Sequence, residues 1–171
     1  ALNFMENGMS AVEAIEHVCQ QGKFIEYRQV LVVDKAGKTA IYSGPNSLGI
    51  WTQAQGLDVA SGGNMLANDR VPQAMVDSFL ASSGHLGDRL ISAMRAGLAA
   101  GGEAGPLHSA GILLVDSVAW PVAELRCDWT DNCPIENIAT AWEVYKPQLA
   151  AYVQRAIDPR DAPSYGVPGD Q

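Results

Sequence analysis

Two short segments of this sequence concentrate the side chains that amide or acyl chemistry needs. Ser61-Gly62-Gly63-Asn64-Met65-Leu66 sets a primary amide beside two glycines. Glycine lets backbone N–H groups approach a ligand closely, and an asparagine amide can donate to an oxygen gaining negative charge. Sequence alone favours a glycine bulge in which Asn64 forms a turn. Gly102-Glu103-Ala104-Gly105-Pro106-Leu107-His108-Ser109 delivers an acid, an imidazole and a hydroxyl at the mouth of an apolar run. Loops that enter a central strand often carry binding residues, although a plain helix-to-strand connection has the same composition.

Other chemistries lack their residues. His17, His85 and His108 are too scattered for any two to share a helical face. With no His-Glu-x-x-His, calcium loop or Cys/His quartet, neither a metal nor another cofactor is expected. His17 and His85 read as surface or capping residues. No Gly-x-Ser-x-Gly elbow or Ser-x-x-Lys motif occurs. Cys133, beside Pro134 near a helix start, is either a polarised thiol or a small apolar filler. The glycines from Ala100 to Gly105 follow a helix and include no lysine, unlike a phosphate loop.

The elements that position these residues come from a chain of 171 residues, 47% of them hydrophobic. That length and composition predict one folded domain with a real core. Eleven basic residues against 19 acidic ones leave a formal charge of −8. This balance argues against nucleic acid and against anionic membrane surfaces as partners. No apolar run is long enough to span a bilayer. Cys19, Cys127 and Cys133 form no Cys-x-x-Cys pair, so free thiols and a cytoplasmic location are expected. The chain opens Ala1-Leu2-Asn3-Phe4 with no signal-peptide pattern, and residues 1–7 read as the tail of a helix, so a preceding segment is expected.

Ser10-Ala11-Val12-Glu13 is a capping box; it opens a helix burying Ala11, Ala14, Ile15 and Val18 that stops at Gly22. Arg28–Val33 and Thr39–Tyr42 flank a turn and predict an antiparallel hairpin. Residues 43–67 predict a loop with a short strand near Leu57–Ala60. A helix after Asn68-Asp69 should bury Val71, Met75, Phe79 and Leu80, and a second, about Leu86–Ala100, should bury Leu90, Met94 and Leu98. Ser109–Val115 reads as a strand buried on both faces, with Pro121–Asp128 as its partner. The last helix carries Ile135, Ile138, Trp142, Tyr145, Leu149, Tyr152 and Ala156 on one stripe, kinked or broken at Pro147. That aromatic stripe suits a homodimer contact and an internal core equally. Residues 158–171 predict an extended Pro/Gly tail. Hairpins interleaved with helix pairs imply an α+β fold with antiparallel sheet under helices.

In order along the chain, several motifs resemble the domain of unknown function 1028 family. They are Glu26-Tyr27-Arg28-Gln29 with Val32-Val33-Asp34, Gly63-Asn64-Met65-Leu66, Ala96 to Glu103, His108 to Val115, Leu125 to Trp129, Pro134-Ile135 and Asp158 to Asp170. The resemblance implies an Ntn-hydrolase-like four-layer αββα sandwich. It also implies a nucleophile at the first residue of a strand, with its own α-amino group as general base. Relatives carry an N-terminal strand pair beginning with Thr, Ser or Cys, which this sequence lacks. The nucleophile would then come from a companion peptide released by autoproteolytic processing, or from chain upstream of Ala1. The implied activity is hydrolysis of a linear C–N amide in a small molecule. Gly63 and Asn64 would serve as oxyanion donors, and Glu103, His108 and Ser109 would orient the amine or the substrate. The alternative is a non-catalytic binding or assembly module on the same fold.

Overall fold

The computed structural model describes residues 1–164; residues 165–171, which hold the end of the expected tail, lie outside the described residues. The chain divides into two compact units, Ala1–Leu107 and His108–Gln171. Both mix helix with antiparallel two-stranded sheet, so the α+β class holds.

The first unit opens with α1 (Leu2–Glu6), and α2 (Ala11–Gln21) follows after Gly8 turns the chain at φ +93°. The capping box forms as expected. Glu13 N–H donates to Ser10 Oγ, and Ser10 N–H donates to Glu13 Oε2 at 2.8 Å. The Ser10 hydroxyl, which donates to Glu13 Oε2 at 2.7 Å, and then the Ser10 N–H hold the Glu13 carboxyl below its ordinary range. Strands β1 (Gln29–Val33) and β2 (Thr39–Ser43) pair antiparallel, with Leu31 opposite Ile41. Ala11 and Ile15 of α2 pack with Val32 and Ala40 into a small core that Val30 and Tyr42 extend.

Asp34 ties that layer together. Its carboxylate accepts N–H bonds from Ala11 at 3.2 Å, Ala36 at 2.9 Å and Lys38 at 3.0 Å, joining the start of α2 to the hairpin turn. The Ala11 bond is the largest of several causes that lower the Asp34 pKa. A carboxyl depressed by folding stabilises the native state above its unfolded-state pKa, and that contribution disappears as pH falls through the folded value. Urea midpoints should therefore drop as pH falls below about 4, and Asp34→Asn should flatten the drop. Identical slopes for the two proteins would remove Asp34 from the acid response.

Residues 43–67 depart from expectation. Instead of a loop with one short strand they form a second hairpin, β3 (Ile50–Gly56) and β4 (Val59–Leu66), joined by Leu57-Asp58. Glycine weakens a strand in isolation, but here it lets neighbours come close. A Cβ on Gly62 would lie 3.3 Å from Leu31 of β1, and one on Gly56 2.9 Å from Leu80. On the side facing β1–β2, Ser43 Oγ bonds Gln53 Oε1 at 2.6 Å and Gln29 Nε2 donates to Ser43 Oγ at 2.9 Å.

On its other side the β3–β4 hairpin is covered by α3 (Val71–Ala81), which packs with α4 (Leu86–Ala99). Val71, Pro72, Val76 and Phe79 are the buried positions of α3; Leu80 is 49% exposed, so the expected face is turned by one residue. The stripe on α4 also differs from expectation, because Gly87, Ile91, Ala93 and Gly97 are buried and Leu98 is exposed. The reason is close helix approach: a Cβ on Gly97 would sit 2.8 Å from Met75 Cγ. His85 caps α4, its Nδ1 accepting from Gly87 N–H at 3.1 Å. Gly101 and Gly102, both at positive φ, end the helix.

In the second unit, β5 (Ala110–Leu114) pairs with β6 (Ala123–Cys127), and α5 (Pro134–Tyr145) covers one face. The strand expected to be buried on both faces instead alternates. Ile112 and Leu114 are buried, while Leu113 is 54% exposed. Trp142 is fully buried and Tyr145 Oη donates to the Val122 carbonyl at 2.8 Å. At Pro147 the last helix breaks: a 3-10 turn (Lys146–Gln148) separates α5 from α6 (Leu149–Ile157). Among the described residues no helix is long and apolar enough to cross a membrane.

Candidate functional site

The glycine-asparagine segment is the last stretch of β4, and its geometry is irregular. Thr52 pairs with Gly63 and Ile50 with Leu66, so Trp51 alone faces both Asn64 and Met65. Two residues opposite one make a β-bulge, a device that bends a strand and re-aims a side chain. The bulge reading and the donor reading of Asn64 are therefore compatible. Met65 adopts φ +54°, a conformation costly for a residue with a Cβ. Gly49, itself at φ +66°, makes room for it, since a Cβ there would lie 3.1 Å from Met65 Cα.

The Leu48 carbonyl pins this corner. It accepts the Met65 N–H at 2.9 Å and the Asn64 side-chain Nδ2 at 3.4 Å. Asn64 is exposed, and with Tyr27, Arg28, Gln29, Asn46, Ser47 and Leu48 it lines a cleft of about 460 Å³ within the first unit. The exposed primary amide can offer a hydrogen to a ligand oxygen in the cleft. Gly63 sits half-buried one residue earlier, with Leu66 Cδ2 packed where a side chain would go.

Glu103 reaches the same end of β4. It forms a bridge with Leu66, flanked by the bonds Ala67 N–H to Gly102 O at 3.0 Å and Ala104 N–H to Met65 O at 2.8 Å. Its backbone therefore lies beside the bulge, while its side chain is exposed. Within the first unit the structure thus gathers Gly63, Asn64 and Glu103.

His108 and Ser109 belong to the second unit, directly before β5. The His108 ring stacks on Trp129 at 4.1 Å, with Nδ1 2.9 Å from the Thr130 carbonyl and 3.9 Å from Asp131 Oδ1. A carbonyl only accepts, so the bond to Thr130 requires a hydrogen on Nδ1 and leaves Nε2 as the ring nitrogen that can face a ligand. Ser109 is exposed. Cys133 is the N-cap of α5 and half-buried. Among the described residues no group of three His, Cys, Asp or Glu side chains could hold a metal ion.

Six of the cleft residues, Tyr27, Arg28, Gln29, Asn46, Ser47 and Leu48, are not site candidates on sequence alone. The Glu26-Tyr27-Arg28-Gln29 motif points to the first three of them, and no signal marks the others. The cleft forms because Asn46 N–H bonds the Glu26 carbonyl and Gly44 N–H bonds the Arg28 carbonyl, both at 2.8 Å. Gly44 is buried so tightly that a Cβ would strike Glu26 O.

The model of a family described as "Family of unknown function (DUF1028)" matches residues 1–138. Among solved structures, this chain is similar to the crystal structure of a DUF1028 protein from Silicibacter pomeroyi. The two share 28% identity with a TM-score of 0.76, over 85% of this chain and 64% of that one. This chain therefore spans less than two thirds of that relative. No curated protein gives a significant match.

Proposed function

Because this chain belongs to the DUF1028 family, whose function is unknown, we propose its activity from its own residues: it is an Ntn-type amidohydrolase acting on a linear C–N amide of a small molecule. The observation that carries this reading is the bulge at Asn64-Met65, which turns an exposed amide donor into a cleft of substrate size. A non-glycine residue held at φ +54° beside that donor is the kind of strain found where geometry serves function. Asn64, with Gly63 behind it, stabilises the oxyanion. Glu103 orients the substrate or the reacting amine from the end of β4. His108, through Nε2, and Ser109, which belong to the second unit, are proposed as orienting groups. These last two assignments rest on their chemistry alone.

The four-layer αββα sandwich is part of the proposal. Helix α2 on one hairpin and α3 with α4 on the other are the contacts such a fold requires. Nucleophile and base would come from chain outside these 171 residues, as the greater length of the Silicibacter relative allows. N-terminal sequencing and intact-mass measurement of the native protein test this directly. The expected result is a polypeptide, covalently continuous or companion, that begins with Thr, Ser or Cys. A native protein with no such terminus and no amine release from simple amides would instead favour a binding module.

A further inference from the structure

We infer that the cleft beside Asn64 takes a substrate bearing a carboxylate, and that Arg28 is the residue that selects it. This inference deepens the amidohydrolase reading and rests on it for the position of the scissile bond. Four features of the cleft carry the argument.

The first is charge. The chain carries −8 overall, yet the lining of this cleft contains one cation and no acid, Glu103 lying outside it beside Leu66. A lone guanidinium in an otherwise acidic molecule marks the cleft as the place where an anion is favoured. The second is availability. The Arg28 side chain is exposed and makes no ion pair or hydrogen bond among the described residues. Its planar donor fork is free to grip a carboxylate through two parallel bonds.

The third is anchoring. Arg28 N–H bonds the Ile25 carbonyl at 2.9 Å, and Arg28 O accepts from Gly44 N–H at 2.8 Å, so the backbone beneath the guanidinium is fixed. The fourth is composition. Gln29, Asn46, Ser47 and Asn64 add amides and a hydroxyl, groups that hydrogen-bond a neutral amide, and Tyr27 supplies a flat wall. A molecule with a carboxylate at one end and an acylated nitrogen nearby matches that lining. The substrate class is accordingly an N-acyl amino acid or a similar amide-linked carboxylate.

Titration calorimetry on the full protein tests the inference with three probes: N-acetylglycine, its uncharged N-methylamide, and inorganic phosphate. N-acetylglycine should bind about tenfold or more tightly than the methylamide, the discrimination expected of one charge-assisted contact. Arg28→Gln should abolish that preference without changing affinity for the methylamide, and Arg28→Lys should restore part of it. Equal binding of the two glycine probes, no binding of either, or an unchanged preference in Arg28→Gln would overturn the inference. Tighter binding of phosphate than of N-acetylglycine would overturn the carboxylate assignment. Because these are binding measurements, a carboxylate preference without any amide turnover would refute the hydrolase reading and leave the Arg28 site standing.

Discussion

Replacing Asn64 by alanine is expected to lower amide turnover about 10²- to 10³-fold, the loss seen when one oxyanion donor is removed. Such a donor acts on charge that develops only in the transition state, so kcat should fall while KM stays nearly constant. Folding should barely notice. Asn64 is exposed, and its one hydrogen bond, to Leu48, is long at 3.4 Å. Surface positions of this kind change stability by about 0.5 kcal/mol or less. The measurement is steady-state kinetics on the best substrate from an amide panel, with a thermal melt of each protein. A kcat within twofold of wild type would remove Asn64 from the mechanism. A collapsed melting temperature would mean that the bulge needs the side chain for folding.

The largest stability effect belongs to the second unit. Trp142 is wholly buried on α5, in a unit whose other buried residues include Ile112, Leu114, Ile135 and Ile138. Cutting it to alanine removes an indole that no neighbour can replace and leaves a cavity. Substitutions of that kind cost about 3 to 5 kcal/mol. Net stabilities of domains are themselves only about 5 to 15 kcal/mol, so Trp142→Ala should bring the protein near its folding threshold. Urea denaturation followed by far-ultraviolet circular dichroism would report the shift. A loss below about 1 kcal/mol would show that the site can collapse around the missing ring.

The legible parts of the fold were those encoded locally. The Ser10–Glu13 capping box, the β1–β2 hairpin and the break at Pro147 each depend on residues within a few positions of one another. The β3–β4 hairpin was not legible, because its strands hold Gly56, Gly62 and Gly63, which carry little strand preference of their own. What makes them strand is tertiary: Leu31 lies over Gly62, and Val76 and Leu80 close on Gly56. The buried face of α4 escapes the hydrophobic pattern for a related reason. Helix contact there is set by the smallest side chain, Gly97, and a hydrophobic stripe cannot reveal a position chosen for its lack of bulk. The run before Val115 looked doubly buried because alternation vanishes when both faces are apolar, whereas only one face meets α5.

The candidate site divides the same way. Asn64 and Glu103 announce themselves by residue type within motifs, and the structure brings both to one end of β4. Arg28 also lies in a motif, Glu26 to Gln29, but nothing in that motif marks it as lining a cleft with Asn64. Arg28 and Asn64, 36 positions apart in sequence, line one cleft together with Asn46 and Ser47. Sequence spacing reports chemistry within an element, but a cleft assembled by turns and hairpins is visible only once the chain is folded.

The carbonyl of Leu48, with its two donors, has a thermodynamic consequence for any ligand that meets Asn64. The Met65 N–H holds the corner in place whether or not the side-chain amide is also bonded there. A ligand oxygen can therefore take over the Asn64 hydrogen by exchange, with no loop to open. In such an exchange one neutral hydrogen bond replaces another, so the ground-state complex gains little from this contact. As the ligand oxygen acquires charge, the same contact becomes charge-assisted and roughly doubles in strength, while the bond given up stays neutral. The shared acceptor thus biases this corner toward the charged oxygen over the carbonyl from which it forms.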